Sequence, residues 1–468
     1  MRIAFLRRRS LLTASFFLSF AFFPSPPAWT QQVTHPPGKP APSAAEKEGS
    51  LAAADEVLEQ VSALTKLSRR TPVKKSLRSR EEIRAYVLKR MREDKSAAER
   101  YASERAAVAF WLVPKDFQME AFLVELLTEQ IAGLYDPQGH EFYIADWIPL
   151  EDQRMVMAHE LTHALEDQHF HLEKWMKAAR PDDDAELARE AVLEGSATAA
   201  MIDYLLQGSG RSLKDLPDVD PESLLGELGD TPTLKKAPPF IKDALIFPYF
   251  SGLRFSKAFL EKSGWSGLAS LFEHPPVSTQ QILHPQLYRE GRRPVHGDLP
   301  VNPKLLRGAW KPLVDNTLGE FGWKEVLQQG LGKERAVALS SAWSGDRYVL
   351  LEEKSTKKLI LVYRVFWNDE EHAARFFGQY SEALEKKYSA RSNLLRKPDF
   401  FSFETADGTV ALRCVRADCV VVEGAPRAFI NDVYRRIGWT PAPEPPPARE
   451  KVIEKTASAA LYIAEGIV

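Results

Sequence analysis

His159-Glu160-Leu161-Thr162-His163 sets two histidines four residues apart, with a glutamate beside the first. On a helix, positions i and i+4 project from one face, so both imidazoles can reach a single metal ion. Zinc held by three protein ligands lowers the pKa of the water in its open coordination position towards 7. Glu160 is placed to take the proton, which leaves a nucleophile able to attack a peptide carbonyl at neutral pH. In a chain of 468 residues with ten histidines, accident produces this pattern about 0.02 times. Met155, Val156, Ala158, Leu161 and Leu165 surround it, so the helix is mostly buried. Two histidines and a glutamate on a buried helix are costly unless something compensates them, and zinc does so.

The third ligand must come from another part of the chain. His169 lies six residues after His163, the third-histidine spacing of HExxHxxGxxH. That pattern needs a glycine where this chain has Glu166, and Leu165-Glu166-Asp167-Gln168 holds no helix breaker. On a continuous helix six residues turn by about 600°, which aims His169 away from the metal. Glu190 and Glu194 are the other candidates, one turn apart on one face of a second predicted helix at 184–207. Glu190 also reads as a surface charge near Arg189.

The elements that must hold these residues follow from periodicity and punctuation. A strong helix is predicted over 150–172. Another covers 116–131, with Phe117, Ala121, Val124, Leu127 and Ile131 on one face. Ser79 and Glu82 make a capping box ahead of Ile83, Tyr86, Val87 and Met91. Gly133-Leu134-Tyr135-Asp136-Pro137 precedes a short strand at 141–145. Leu253 to Phe272 is mixed helical and stops at Pro275-Pro276. Beyond about residue 300, strand-like runs at 347–352, 358–365, 400–405, 409–415 and 418–423 alternate with helices near 369–388 and 427–437. That texture predicts a second α+β domain with an antiparallel sheet. Cys414 and Cys419 flank a hairpin turn there, as a disulfide across it or as two buried thiols.

The amino terminus reads as an export signal or an N-terminal anchor. Arg2, Arg7, Arg8 and Arg9 precede an apolar run from Leu11 to Phe23, too short for a comfortable membrane span. The expected division is a signal or anchor at 1–30, a Pro/Ala/Ser-rich linker at 31–50, a catalytic domain at 51–300, an α+β domain at 301–439 and a Pro-rich tail at 440–468. Hydrophobic residues make up 44% and charged residues 27%, which excludes disordered, collagen-like and disulfide-dense chains. The formal charge is −2; without residues 1–30, which carry four arginines and no acid, it is −6. Neither value suggests a nucleic-acid partner. No GxSxG elbow, phosphate-binding glycine loop or CxxC pair is present.

The segment Ala158-His159-Glu160-Leu161-Thr162-His163-Ala164-Leu165-Glu166-Asp167-Gln168-His169-Phe170 resembles a group of exported bacterial proteins in the zincin-like metallopeptidase superfamily. Glu129-Gln130-Ile131-Ala132-Gly133-Leu134-Tyr135-Asp136, Glu194-Gly195-Ser196-Ala197-Thr198, Phe247-Pro248-Tyr249 and Ser278-Thr279-Gln280-Gln281-Ile282-Leu283-His284-Pro285 extend the resemblance over about residues 115–290. It implies a mainly helical zincin-like domain with a short sheet whose edge, the strand at 141–145, binds the substrate backbone. The Glu-Gly-x-Ala wording resembles the third-ligand segment of gluzincins. It implies that Glu194 completes the zinc site, with Glu190 as fallback or as support to the ligands. An oxyanion donor is also needed. His284 is the first candidate for it, ahead of Tyr249 and Tyr288, with Tyr135 similarly ambiguous. The chain departs from the pattern at Ser196 and Glu166, where an acidic and an amide residue are expected.

The combined expectation is an α+β protein exported to the periplasm or beyond. It would use one Zn2+ per chain on His159, His163 and Glu194, with Glu160 as general base, to hydrolyse a protein or peptide. Membrane contact is expected only through an uncleaved N-terminal segment. The alternatives are a non-catalytic binding or envelope-assembly protein on the same scaffold, and a zinc-dependent hydrolase of a non-peptide amide.

Overall fold

The computed structural model describes residues 44–217 and 232–444. The expected signal at 1–30, the linker up to residue 43 and the tail from 445 lie outside the described residues. Helix α1 (Ala44–Thr65) begins within the stretch expected to be linker. It is followed by β1 (Lys74–Arg78), α2 (Arg80–Asp94), α3 (Ala97–Ala109) and α4 (Met119–Gln130). The Ser79/Glu82 capping box is formed at the start of α2, and Ser96 with Glu99 repeats it on α3. Strands β2 (Gly133–Asp136) and β3 (Glu141–Ala145) lead into α5 (Leu150–Phe170), α6 (Leu172–Lys177) and α7 (Asp183–Leu206). Next come α8 (Pro232–Lys236), the long α9 (Pro239–Glu273), α10 (Thr279–Leu283) and α11 (Pro285–Arg289).

The remainder is built on a sheet. Strand β4 (Trp310–Asn316) precedes α12 (Gly319–Leu331) and α13 (Lys333–Ser340). Then follow β5 (Trp343–Glu353), β6 (Leu359–Trp367), α14 (Glu370–Lys387), β7 (Ser392–Arg396), β8 (Phe400–Thr405), β9 (Gly408–Val415), β10 (Asp418–Ala425) and α15 (Arg427–Arg436). The seven strands run β4-β5-β6-β10-β9-β8-β7, every neighbouring pair antiparallel. The chain is thus an α+β protein, helical towards its amino end and with an antiparallel sheet towards its carboxyl end. In this structure Cys414 and Cys419 lie opposite one another on β9 and β10 and form a disulfide.

The small sheet corrects one expectation. Its order is β1-β3-β2, with β1 parallel and β2 antiparallel to β3. The strand at 141–145 is therefore central, and both of its sides are already hydrogen-bonded. Lys-Lys-Ser-Leu-Arg of β1, more than sixty residues upstream, covers the side expected to be open. The outer strands are β1 and β2, and every residue of β2 is buried.

One hydrophobic cluster runs from Ala102 and Phe110 through Ala191 and Phe247 to Trp323, Tyr348, Tyr363 and Val421. Helix α12 therefore joins the large sheet to α7 and α9, with α14 packed beside it on the same face of the sheet. Phe429, Ile430 and Val433 of α15 cover the opposite face of that sheet in a second cluster.

Candidate metal centre

Helix α5 runs without interruption to Phe170 and ends where His171 takes a left-handed conformation (φ 54°). Along it His159 and His163 fall on one face, as i and i+4 positions must. Both are buried, as are Glu160 and Glu194. His159 Nε2 lies 3.1 Å from His163 Nε2 and 3.1 Å from Glu194 Oε2, and His163 Nε2 lies 3.6 Å from the same oxygen. These three residues form the group of convergent His, Cys, Asp or Glu donors able to hold a metal ion among the described residues.

The spacing fits such an ion. Zinc–ligand bonds of 2.0–2.1 Å at a tetrahedral angle separate ligand atoms by about 3.3 Å. The donor set, two imidazoles and a carboxylate, suits zinc and other transition metals better than calcium or magnesium. Without an ion, two nitrogen lone pairs and a carboxylate in this burial are unfavourable unless a proton is shared. Burial works against a proton on His163, but Glu194 and Glu166 outweigh it and hold that imidazolium up to about 10. Burial, together with the neighbouring His163, pushes His159 down. Burial raises the Glu194 carboxyl, yet His163 and His159 bring it below the usual range.

The surrounding residues fix the donors. His163 Nδ1 meets Glu166 Oε2 at 3.2 Å, and Ser196 Oγ donates to the other oxygen of Glu166. A carboxylate on the far nitrogen sets the tautomer of a ligating histidine and raises its basicity. Glu160 Oε2 accepts the backbone N–H of Tyr135 on β2 at 2.8 Å. The hydroxyl of Tyr135 donates to Asp167 at 2.9 Å, tying β2 to the end of α5. Tyr249 of α9 stacks on His159, with ring centroids 6.1 Å apart and planes 27° apart.

That stacking depends on how closely α9 approaches α7. A Cβ on Gly195 would lie 2.2 Å from the Gly252 carbonyl carbon, and one on Gly252 would lie 2.0 Å from Ala191 O. Two glycines therefore let the backbones touch one residue after Glu194. The Glu194-Gly195 pair stands out in the sequence as wording; its partner, Gly252, carries no local signal.

The other candidates fall in different places. His169 Nε2 bonds the carbonyl of Ser68 at 2.8 Å, outside the group. Glu190 lines a cavity beside Tyr249. Burial, with Glu194 and Glu186, holds its carboxyl well above the usual range. His284 sits at the junction of α10 and α11, where Nε2 meets Glu320 Oε1 of α12 at 2.8 Å. Tyr288 donates to the carbonyl of His274. Of the three oxyanion candidates, the structure brings Tyr249 alone against a residue of the metal group. Glu166 is the supporting residue that sequence reasoning missed, although its three-residue offset from His163 signals a shared helix face.

Comparison with known proteins adds little at the site itself. A family model described as Domain of unknown function (DUF8575) matches residues 311–434, within the sheet region. No curated protein matches the chain. A solved structure from Chloroflexus aurantiacus, described as a "putative hydrolase with a novel fold", shares 16% identity at a TM-score of 0.35. The alignment covers 54% of this chain and 93% of that one.

Proposed function

We propose that the chain is an exported zinc-dependent metallopeptidase of the zincin-like, gluzincin type. The observation that carries this reading is the convergence of His159, His163 and Glu194 beside Glu160. His159 Nε2, His163 Nε2 and a Glu194 oxygen would hold the ion. A zinc ion bound there supplies a Lewis acid that makes water a nucleophile near neutral pH and polarises the substrate carbonyl. Glu160 removes the proton of the attacking water on its carboxylate and returns it to the leaving amine. The Tyr135 N–H anchors one oxygen of that carboxylate, so its orientation is set before substrate arrives. Glu166 holds the His163 ring in register.

The Cys414–Cys419 disulfide supports an oxidising compartment. Among the described residues no helix is long and apolar enough to cross a membrane.

The test is metal content and hydrolysis on one preparation. Purified chain should hold about one zinc, and Glu160→Gln should keep the zinc while losing at least about 100-fold in hydrolysis of a peptide library. Full activity in that variant would overturn the mechanism. A second reading, a binding protein on the same scaffold without turnover, is favoured by the depth of the group, whose four residues are at most 3% exposed. It predicts stoichiometric zinc and no chelator-sensitive cleavage in the wild type.

A further inference from the structure

A cavity of about 390 Å³ lies between α3, α4, α7, α9 and α12. Its metal-facing wall is made by Tyr249, the ring stacked on His159, and by Glu190, one turn before Glu194 on α7. Most of the remaining lining is apolar, with Leu127, Phe240, Leu245 and Phe321. The mouth is marked by Glu104, Met119 and Glu120, which also line an outer groove on α2 and α4. The cavity thus runs from the surface to the wall of the metal centre.

One carboxyl in its wall lacks the partners that the others have. Asp94 is held by Arg180 at 2.6 Å, and Glu120 by Arg100 at 3.0 Å. Glu190 makes no hydrogen bond or ion pair to another described residue, while Lys95, which lines the same cavity, acts on it through space. Burial in this apolar wall favours the neutral Glu190 carboxyl, and a cationic ligand group brought against it would let it ionise and pair. The surface-charge reading of Glu190 does not suit a residue in a cavity wall.

We infer that this cavity is the specificity pocket for a cationic substrate group, with Glu190 as its recognition residue. The inference rests on the hydrolase reading for its meaning, but the pocket is testable without turnover. An ammonium or guanidinium on an apolar stem matches the lining: the stem packs on Leu127 and Phe321 while the charge meets Glu190. Such a group comes either from the free amino end of a peptide or from a Lys or Arg side chain.

The test uses the full zinc-loaded chain and calorimetric binding of three probes. N-acetyl-lysine amide carries only a side-chain ammonium, phenylalanine amide only an α-ammonium, and N-acetyl-norleucine amide neither. At least one cationic probe should bind roughly 10- to 100-fold tighter than the neutral one, the span of a charged hydrogen bond. Whichever does so names the source. Glu190→Gln, which keeps the side-chain shape, should bring that preference to within about threefold of unity while zinc content is retained. Ala244→Trp, which fills the cavity from α9, should weaken the preferred probe at least about tenfold. Equal binding of all three probes to the wild type would overturn the inference, as would a preference unchanged in either variant. Cationic binding that needs Glu190, in a protein that cleaves no peptide, would keep the pocket and remove the hydrolase reading instead.

Discussion

Glu166 faces two residues at once, His163 through Oε2 and Ser196 through Oε1. These contacts give a physical account of the two departures from the resembled pattern. An amide at 166 would accept from His163 and donate to an acid at 196; here the carboxylate sits at 166 and a hydroxyl donates to it. The negative charge thus sits one hydrogen bond from His163. Burial raises the Glu166 carboxyl, and the His163 imidazole opposes that rise. Glu166→Gln should therefore lower zinc affinity roughly 10- to 100-fold, as loss of such a partner does. Ser196→Asp combined with Glu166→Gln should restore affinity to within a few-fold of the wild type. Competition with a chromophoric chelator measures both, and a double variant no better than the single one would show that the two sites are not coupled. The spacing of His159, Glu160 and His163 was legible because it is local. The Glu166–Ser196 contact joins two helices thirty residues apart, so no periodicity announces it.

At the scale of elements, the position of Glu194 is a consequence of helix contact. Gly195 and Gly252 allow α7 and α9 to meet backbone to backbone, and this brings Tyr249 over His159. Gly195→Ala would place a methyl 2.2 Å from a main-chain carbon, where no flexible side chain can yield. The helices must separate, at a cost of about 1–3 kcal/mol or more. The melting temperature should drop by several degrees, and zinc affinity should fall with it, because Glu194 shifts relative to His159. Unchanged zinc affinity in a destabilised Gly195→Ala would mean that Glu194 is placed by α7 alone. The two long helices around the site were legible to within two residues at each end, since no proline interrupts either run and Pro149 marks the start of the first. The first half of α9 was not, because Pro238, Pro239 and the interior Pro248 argue against a helix that packing nevertheless imposes. β1 escaped notice for the opposite reason: two lysines, a serine and an arginine in five residues give no alternating apolar face.

Across the whole molecule, the change of texture near residue 300 carries no break in packing. The N-terminus of α7 is fastened to the sheet region: the Asp183 N–H donates to Asn316 Oδ1 at 3.1 Å, and Asp184 accepts the N–H of Thr279, whose hydroxyl oxygen accepts the Phe321 N–H at 3.2 Å. Asp346 of β5 in turn accepts the N–H groups of Leu318 and Gly319 at 2.9 and 3.0 Å, where α12 begins. Those contacts join distant residues, so the sequence could show two textures but not the seam that unites them. His284 belongs to the same seam through Glu320. The hydrogen bond to Glu320 raises the His284 pKa above its ordinary 6.5, against the effect of burial. A histidine whose folded pKa is raised stabilises the fold fully below its unfolded pKa and loses that contribution as pH climbs through the folded value. His284→Gln should therefore cost roughly 1 kcal/mol below about pH 6.5 and progressively less above it. Thermal melts of wild type and variant between pH 5.5 and 9 measure the gap. A gap that stays constant with pH would remove the ion pair from the seam. If hydrolysis also fell by two orders of magnitude while zinc remained bound, His284 would act in the reaction as an oxyanion donor rather than in the fold.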